Sequence, residues 1–327
     1  MLTHSMLEGV RISSMHPTQF SSGDVIADRR ADYARMLAEN GEHEAAVELM
    51  EQALELVPDW PAGLVRLADY AEKANLPKKA VPALRRALEL DPEDIFGARL
   101  KLALLGAEDV PDQPPSRYVE ALFDDYADRF DTALVERLDY TVPAKLARLI
   151  ADYDDRRFEV AVDLGCGTGL FGAEIRDRVA HLEGFDLSVN MLAKAEEKGL
   201  YDLLAKADLS LDPSGSGLFD DGLVEARADL VSAADVLMYL GDLANAFALA
   251  ARLAKPDALF AFSVEDAGEG DGFLLAPSLR YAHTEQHVRQ RLAESGFEVL
   301  VLTRTTIRMD GGKPVFGILF LASRTAR

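Results

Sequence analysis

From Asp24 onward, apolar residues recur at the three- and four-residue spacing of amphipathic helices. Before it, residues 1–23 hold Ser13, Ser14, Pro17, Ser21, Ser22 and Gly23 with little periodicity, which predicts a flexible arm. The segment AAVELMEQALELVPD, beginning at Ala45, returns 34 residues later as KAVPALRRALELDPE, beginning at Lys79. Ala46, Val47, Ala53, Leu54, Glu55, Leu56 and Pro58 match Ala80, Val81, Ala87, Leu88, Glu89, Leu90 and Pro92. Alanines at those positions let two helices approach closely, Gly41 suits the turn between them, and Pro58 stops the second. Repeated helices are therefore predicted over 24–105, the last around 95–105. GAEDVPDQPPS, with Pro111, Pro114 and Pro115, predicts a semi-rigid linker over 106–116.

Beyond the linker the period changes. Strands are predicted over 158–163, 181–186, 203–207, 228–234 and 258–264. Helices are predicted between and after them, over 170–179, 189–198, 242–254 and 285–295. Two longer strands, 297–308 and 315–323, flank MDGGKP, a hairpin signal. Alternating strands and helices give an α/β fold with a mostly parallel sheet of seven strands. The C-terminal hairpin adds an antiparallel edge, and the helical repeats precede this fold as a separate all-α domain.

Composition narrows the function classes. The 327 residues carry a net charge of −21, of which 1–110 hold −7 and the remainder −14. That surface repels a phosphate backbone, so no nucleic-acid partner is expected. No run of 18 apolar residues occurs, and no signal peptide is read at the N-terminus, so no membrane association and a cytoplasmic location are expected. With Cys166 as the single cysteine there is no intramolecular disulfide, and no metal site is expected.

The first chemical signal is VAVDLGCGTGLFG, which follows a strand and opens a helix. Gly165, Gly167 and Gly169 allow a tight turn and a close approach to a ligand. Gly167, Gly169 and Gly172 also satisfy G-x-G-x-x-G, so a dinucleotide site stays open at this point. The second signal is Asp186, at the end of the next strand and 21 residues after Gly165, where a carboxylate meets a ribose in doubly wound sheets. Ser188 can cap the following helix and leave Asp186 for that role.

The 34-residue period resembles tetratricopeptide (TPR) repeats. VDLGCGTG, FDLSVNML, KADLS and ADLVSAADVLMYLGDL together resemble class I S-adenosylmethionine-dependent methyltransferases, from about Tyr118 to the C-terminus. The combination is similar to a group of predicted TPR-containing bacterial methyltransferases, which also carry a segment like YVEALFDDYADRFD before the core. The resemblance implies a Rossmann-like sheet over 117–327, with an N-terminal helical lid over 117–150, and S-adenosyl-L-methionine as cofactor. Asp163 would meet the cofactor's amino group, and Gly165, Cys166 and Gly167 would pass its methionine part. Asp186 would hold the ribose, Leu187 and Met191 would line the adenine, and Asp208 with the amide of Leu209 would recognise the adenine amino group. Ala233, Ala234 and Asp235 would lie beneath the methyl group, with Tyr126 and Phe130 as a lid.

Methyl transfer needs alignment in a closed pocket, and a general base only for a protonated acceptor. Asp235 and Tyr239, after the fourth strand, and Tyr281 and His283, after the fifth, are the candidates. The acidic, glycine-rich stretch EDAGEGDGFLLAPS, 265–278, sits where a substrate lid would form, or is a solvated loop. The acceptor would be a small molecule or a protein side chain, and the repeats would bind a partner peptide or build a homodimer. Two other readings stay open: a TPR adaptor with an inactive or cofactor-sensing domain, and an NAD-dependent oxidoreductase.

Overall fold

The structure, a computed structural model, describes residues 21–130 and 140–325. Residues 1–20 of the expected arm and 131–139 of the expected lid lie outside the described residues. The chain forms two compact units that divide between Asp125 and Tyr126.

The first unit is helical: α1 (Val25–Glu39), α2 (His43–Leu56), α3 (Pro61–Lys73), α4 (Pro77–Leu90) and α5 (Ala98–Leu104). Asp24 caps α1, its carboxylate accepting the amides of Ile26 and Ala27 at 2.8 and 2.9 Å. The inner face of α1 is one alanine per turn, Ala27, Ala31, Ala34 and Ala38, which share a core with Ala46, Met50 and Ala53 of α2. Gly41 takes φ +83° in the turn between them, and Pro61 opens α3 at its first turn. Trp60 lies so close to Gly63 that a Cβ there would sit 2.3 Å from its ring. The proline-rich stretch leads into α6 (Ser116–Tyr126), where the ring of Tyr118 packs on Gly97.

The second unit begins its sandwich with α7 (Val142–Tyr153) and alternates β1 (Phe158–Leu164), α8 (Leu170–Ile175), β2 (Val179–Asp186), α9 (Val189–Lys198), β3 (Leu203–Lys206) and β4 (Ala228–Ala233). Helix α10 (Ala244–Leu253), β5 (Ala254–Asp266), β6 (Phe273–Leu275), β7 (Tyr281–His283), α11 (Glu285–Glu294), β8 (Phe297–Asp310) and β9 (Lys313–Arg324) complete it. The sheet runs β3-β2-β1-β4-β5-β7-β6, with β9 antiparallel on β5 and β8 on β9. Strands β3, β2, β1, β4 and β5 are parallel. The order reverses between β1 and β4, and at such a switch point an open α/β sheet leaves a crevice at the carboxyl ends of its strands.

Alternation along β5 supplies both faces of the core. Phe260 and Phe262 enter one hydrophobic cluster with Phe247 and Phe320, while Leu259 and Ala261 enter the other with Leu146 and Leu182. The mostly parallel sheet and C-terminal hairpin stand as expected, but the sheet gains β6 and β7, for nine strands rather than seven. Both arise in or just after the stretch read as a lid or loop. Phe273, Leu274 and Leu275 pair with His283, Ala282 and Tyr281, and Thr284 donates its hydroxyl to the Gly272 carbonyl at 3.1 Å. A strand of three residues is too short for period-two alternation to reveal.

Candidate functional site

The glycine turn leaves the end of β1 with Gly165, Gly167 and Gly169 at φ +66°, +53° and +87°. This is left-handed backbone that favours glycine. The three serve different ends. At Gly165 a Cβ would lie 2.4 Å from Cγ2 of Val236, so that position is sealed by packing. At Gly167 a Cβ would meet only Cε1 of Phe130, at 3.9 Å, so the turn there is open beneath an aromatic ring. At Gly169 it would strike the ring of Tyr201 at 2.9 Å. Gly172 also faces Tyr201, its added Cβ falling 2.4 Å from the hydroxyl, so the spacing that resembled a dinucleotide fingerprint is filled here by a tyrosine.

Asp186 stands at the end of β2 and accepts the amides of Gly167 and Ser188 at 2.8 and 2.9 Å. Ser188 caps α9, taking the Met191 amide at 3.1 Å. The amide of Cys166 donates to the Phe185 carbonyl at 2.9 Å, which ties the turn to β2. Its thiol is buried and pushed well above its usual range by loss of solvent. Asp163 is 1 % exposed; it accepts the Tyr201 hydroxyl at 2.7 Å and the Ser232 hydroxyl at 2.8 Å. Burial pushes its carboxyl up to about 7, against the pull of those two hydrogen bonds.

The adenine-side candidates follow β2 and β3. Leu187 is half-buried and Met191 is fully enclosed. Asp208 accepts the amide and hydroxyl of Ser210 at 2.9 and 2.6 Å, and Asn245 donates to the Ser210 carbonyl at 2.6 Å, which fixes this loop. Leu209 is buried. Tyr126 and Phe130 meet edge to face with centroids 5.6 Å apart, and through Phe130 this pair reaches Gly167.

At the end of β4, Ala233 is buried and Ala234 half-buried. Asp235 takes φ +57°, with its amide on the Ser263 hydroxyl at 2.8 Å. Both its oxygens accept Nη1 of Arg308 at 3.1 Å, and Nη2 of Arg308 reaches Glu265. Arg280 adds Nε at 2.9 Å from the same Glu265 and bonds Asp310 at 2.7 Å. Burial still leaves the Asp235 carboxyl raised, with Arg308 the main opposing influence. Tyr239 and Tyr140 complete the cluster; burial raises both phenols, and both feel the charges of Asp235 and Arg308.

His283 sits apart from these charges. It is fully buried, its Nε2 is 3.0 Å from the Gly241 carbonyl, and its ring stacks on His287 with centroids 6.0 Å apart. Burial holds it down to about 4, a neutral imidazole at ordinary pH. Tyr281 is likewise buried, edge-on to Phe273 at 5.6 Å.

The structure thus brings Asp163, Gly165, Cys166, Gly167, Asp186 and Phe130 to one turn, and Asp235 and Tyr239 to one ionic cluster. Sequence reasoning missed Tyr201, Arg280, Arg308 and Tyr140, and it read Glu265 only as the start of a lid or solvated loop, whereas it is buried in β5 against Arg280 and Arg308. The one advance sign was a surplus of glycines, Gly169, Gly172 and Gly184, around the space that Tyr201 fills. Among the described residues, no group of three or more His, Cys, Asp or Glu is placed to hold a metal ion. No described helix is long and apolar enough to cross a membrane.

Comparison with known proteins gives the following. A family profile described as "Methyltransferase domain" matches residues 134–302, and two described as "Tetratricopeptide repeat" match 27–70 and 62–94. A malonyl-[acyl-carrier protein] O-methyltransferase of Enterobacter lignolyticus (strain SCF1) is 31% identical over 120 residues, 37% of this chain and 43% of that protein. A ubiquinone biosynthesis O-methyltransferase of Hahella chejuensis (strain KCTC 2396) is 31% identical over 103 residues, 31% of this chain and 41% of that protein. The chain spans less than half the length of these curated relatives. Among solved structures, magnesium protoporphyrin IX methyltransferase from Synechocystis PCC 6803 with bound SAH is similar at 21% identity and a TM-score of 0.49. It covers 64% of this chain and 99% of its own.

Proposed function

Because the chain belongs to the methyltransferase-domain family and carries tetratricopeptide repeats, we propose that it transfers a methyl group from S-adenosylmethionine to a small molecule or a protein side chain. The observation that carries this reading is the turn at Gly167. Its amide is held by Asp186, its α-carbon is open, and the ring of Phe130 lies over it. That is a cradle which a Cβ would fill, at the switch point of the sheet. The residues fit the cofactor: Asp186 for the ribose, Leu187 and Met191 beside the adenine, and Asp208 with Leu209 at its amino edge. Gly165, Cys166 and Gly167 would follow the methionine part, with Asp163 at its amino group.

The cofactor, when bound, supplies an activated methyl on a sulfonium. The protein's share is alignment and exclusion of water. Ala234 and Asp235 follow β4 and would lie on the acceptor side, and Tyr126 with Phe130 would close the turn. Asp235 is the candidate base; its ion pair with Arg308 fixes its direction, and Tyr239 lies in the same cluster. His283 is the weaker candidate, since it is fully buried and burial holds it down to about 4, which makes it a poor base. In this reading the repeats recruit a protein partner or build a homodimer.

Calorimetric titration with S-adenosylmethionine, S-adenosylhomocysteine and NAD tests the reading, with Asp186→Ala in parallel. Selective binding of the two adenosyl ligands, lost in the variant, is expected. Folded protein that binds none of them overturns it and leaves the repeats as the seat of function; binding of NAD alone restores the oxidoreductase reading.

A further inference from the structure

We propose that Tyr201 is a positioning residue for the cofactor: with Ser232, its hydroxyl holds Asp163 in place behind the glycine turn and sets how readily that carboxylate receives a cationic amino group. The inference rests on the cofactor reading above and extends it to a residue that no motif marks.

Three observations converge on Tyr201. Its ring lies in a slot bared by three glycines: Gly169 in the turn before α8, Gly172 within α8 and Gly184 in β2. An added Cβ at these positions would fall 2.9, 2.4 and 2.7 Å from the tyrosine. No alanine fits without displacing the ring, so the phenol has little freedom. Its hydroxyl donates to Oδ2 of Asp163 at 2.7 Å. On the other side Ser232, in β4, donates to Oδ1 at 2.8 Å. The carboxylate of a residue 1 % exposed is thereby clamped by one hydroxyl on each oxygen.

The clamp consists of neutral donors. The groups that act on Asp163 are the hydroxyls of Tyr201 and Ser232 and the carboxylate of Asp186, with the Cys166 thiol and the Tyr140 phenol also within electrostatic reach. Both hydrogen bonds favour the ionised carboxylate, while burial and Asp186 oppose it. Near pH 7 both forms of Asp163 are therefore populated. A cationic amino group favours the ionised form, so affinity rises with pH through this range. Deleting either hydroxyl removes a donor to the ionised form and moves the midpoint of that rise upward.

The experiment is calorimetric titration of the full chain with S-adenosylhomocysteine from pH 5.5 to 7.5, below the titration of the ligand's own amino group near about 8. Wild type, Tyr201→Phe, Ser232→Ala and Asp163→Asn are compared, with melting curves to show that each is folded. Wild-type affinity is expected to climb with pH, approaching about tenfold per unit on the acid side, which is the limit for one linked proton. Tyr201→Phe should displace the curve upward by several tenths of a unit or more, so its deficit is several-fold at pH 6 and shrinks at pH 7.5. Ser232→Ala should move the same way, and it carries the test alone if Tyr201→Phe does not fold. Asp163→Asn should bind weakly and without this pH dependence. A merely structural tyrosine would weaken binding equally at every pH. That outcome, or wild-type and variant curves that coincide, overturns the proposal and leaves the cofactor reading standing. Failure of folded wild type to bind at all overturns both.

Discussion

At Gly165 one α-carbon meets two demands, a φ of +66° and a side chain of Val236 where a Cβ would have to go. Left-handed backbone costs a non-glycine residue roughly 1–2 kcal/mol, and overpacking adds about 1–3 kcal/mol. Gly165→Ala should therefore lose about 2–5 kcal/mol in urea unfolding. Gly167→Ala bears the backbone cost without the clash, since its Cβ would meet only Phe130 at 3.9 Å. It should lose about 1–2 kcal/mol of stability and a larger share of affinity for S-adenosylhomocysteine, because the new methyl occupies the open side of the turn. Equal stability losses in the two variants would contradict this division. The glycine spacing made the turn legible, along with the carboxylate at Asp186. Which glycine faced packing and which faced open space was not legible. Val236 and Tyr201 lie far along the chain, and nothing local in KGLYDLL marks Tyr201 as the partner of Asp163.

Strands and helices carry the next set of expectations. Arg308 reaches from β8 to Asp235 after β4 and to Glu265 in β5, so one guanidinium joins three elements. Arg308→Met leaves the buried Asp235 carboxylate without its cation, while Glu265 keeps Arg280; breaking a buried pair on one side costs about 3–5 kcal/mol. The pH dependence has a definite sign. The Asp235 carboxyl is already raised by burial, and removing Arg308 raises it further. A carboxyl raised in the folded state favours folding at low pH and opposes it as pH rises. Denaturant unfolding of the variant should therefore show a larger deficit at pH 8 than at pH 5, and Arg308→Met with Asp235→Asn should recover part of it. His283 gives the opposite slope: buried, neutral and held at about 4, it resists protonation in the fold. Stability is intact above about 6.5, the unfolded value, and falls as pH drops toward 4. His283→Gln should flatten that acid limb. The long hairpin was readable from MDGGKP, with Gly311 and Gly312 at φ +58° and +76°. Strands β6 and β7 were not, because three residues show no alternation. The Arg308 cluster was hidden because its members are 43 and 73 residues apart and only the register of β5 on β9 and β8 on β9 assembles them.

Across the whole chain, the change of period from helical repeat to alternating strand and helix announced two architectures, and each buries a core of its own. The first core is built largely from alanine, the second from phenylalanine, leucine and valine. This separation gives the cofactor reading a thermodynamic signature that needs no knowledge of the acceptor. A ligand that binds only the folded form stabilises it by RT ln(1 + [L]/Kd), about 2.7 kcal/mol at a hundredfold excess over Kd. The proposed cofactor contacts, from Tyr126 to Leu209, all fall within Tyr126–Arg327. For a unit of this size that energy corresponds to an upward shift of roughly 5–10 °C. Scanning calorimetry of the full chain with S-adenosylhomocysteine should move the transition of the α/β unit by that amount and leave the transition of the helical repeats in place. Asp186→Ala should show both transitions unmoved. If instead the two units melt as one and shift together, the repeats are energetically coupled to cofactor binding. A partner seated on the repeats would then change cofactor affinity by the same factor as cofactor changes partner affinity.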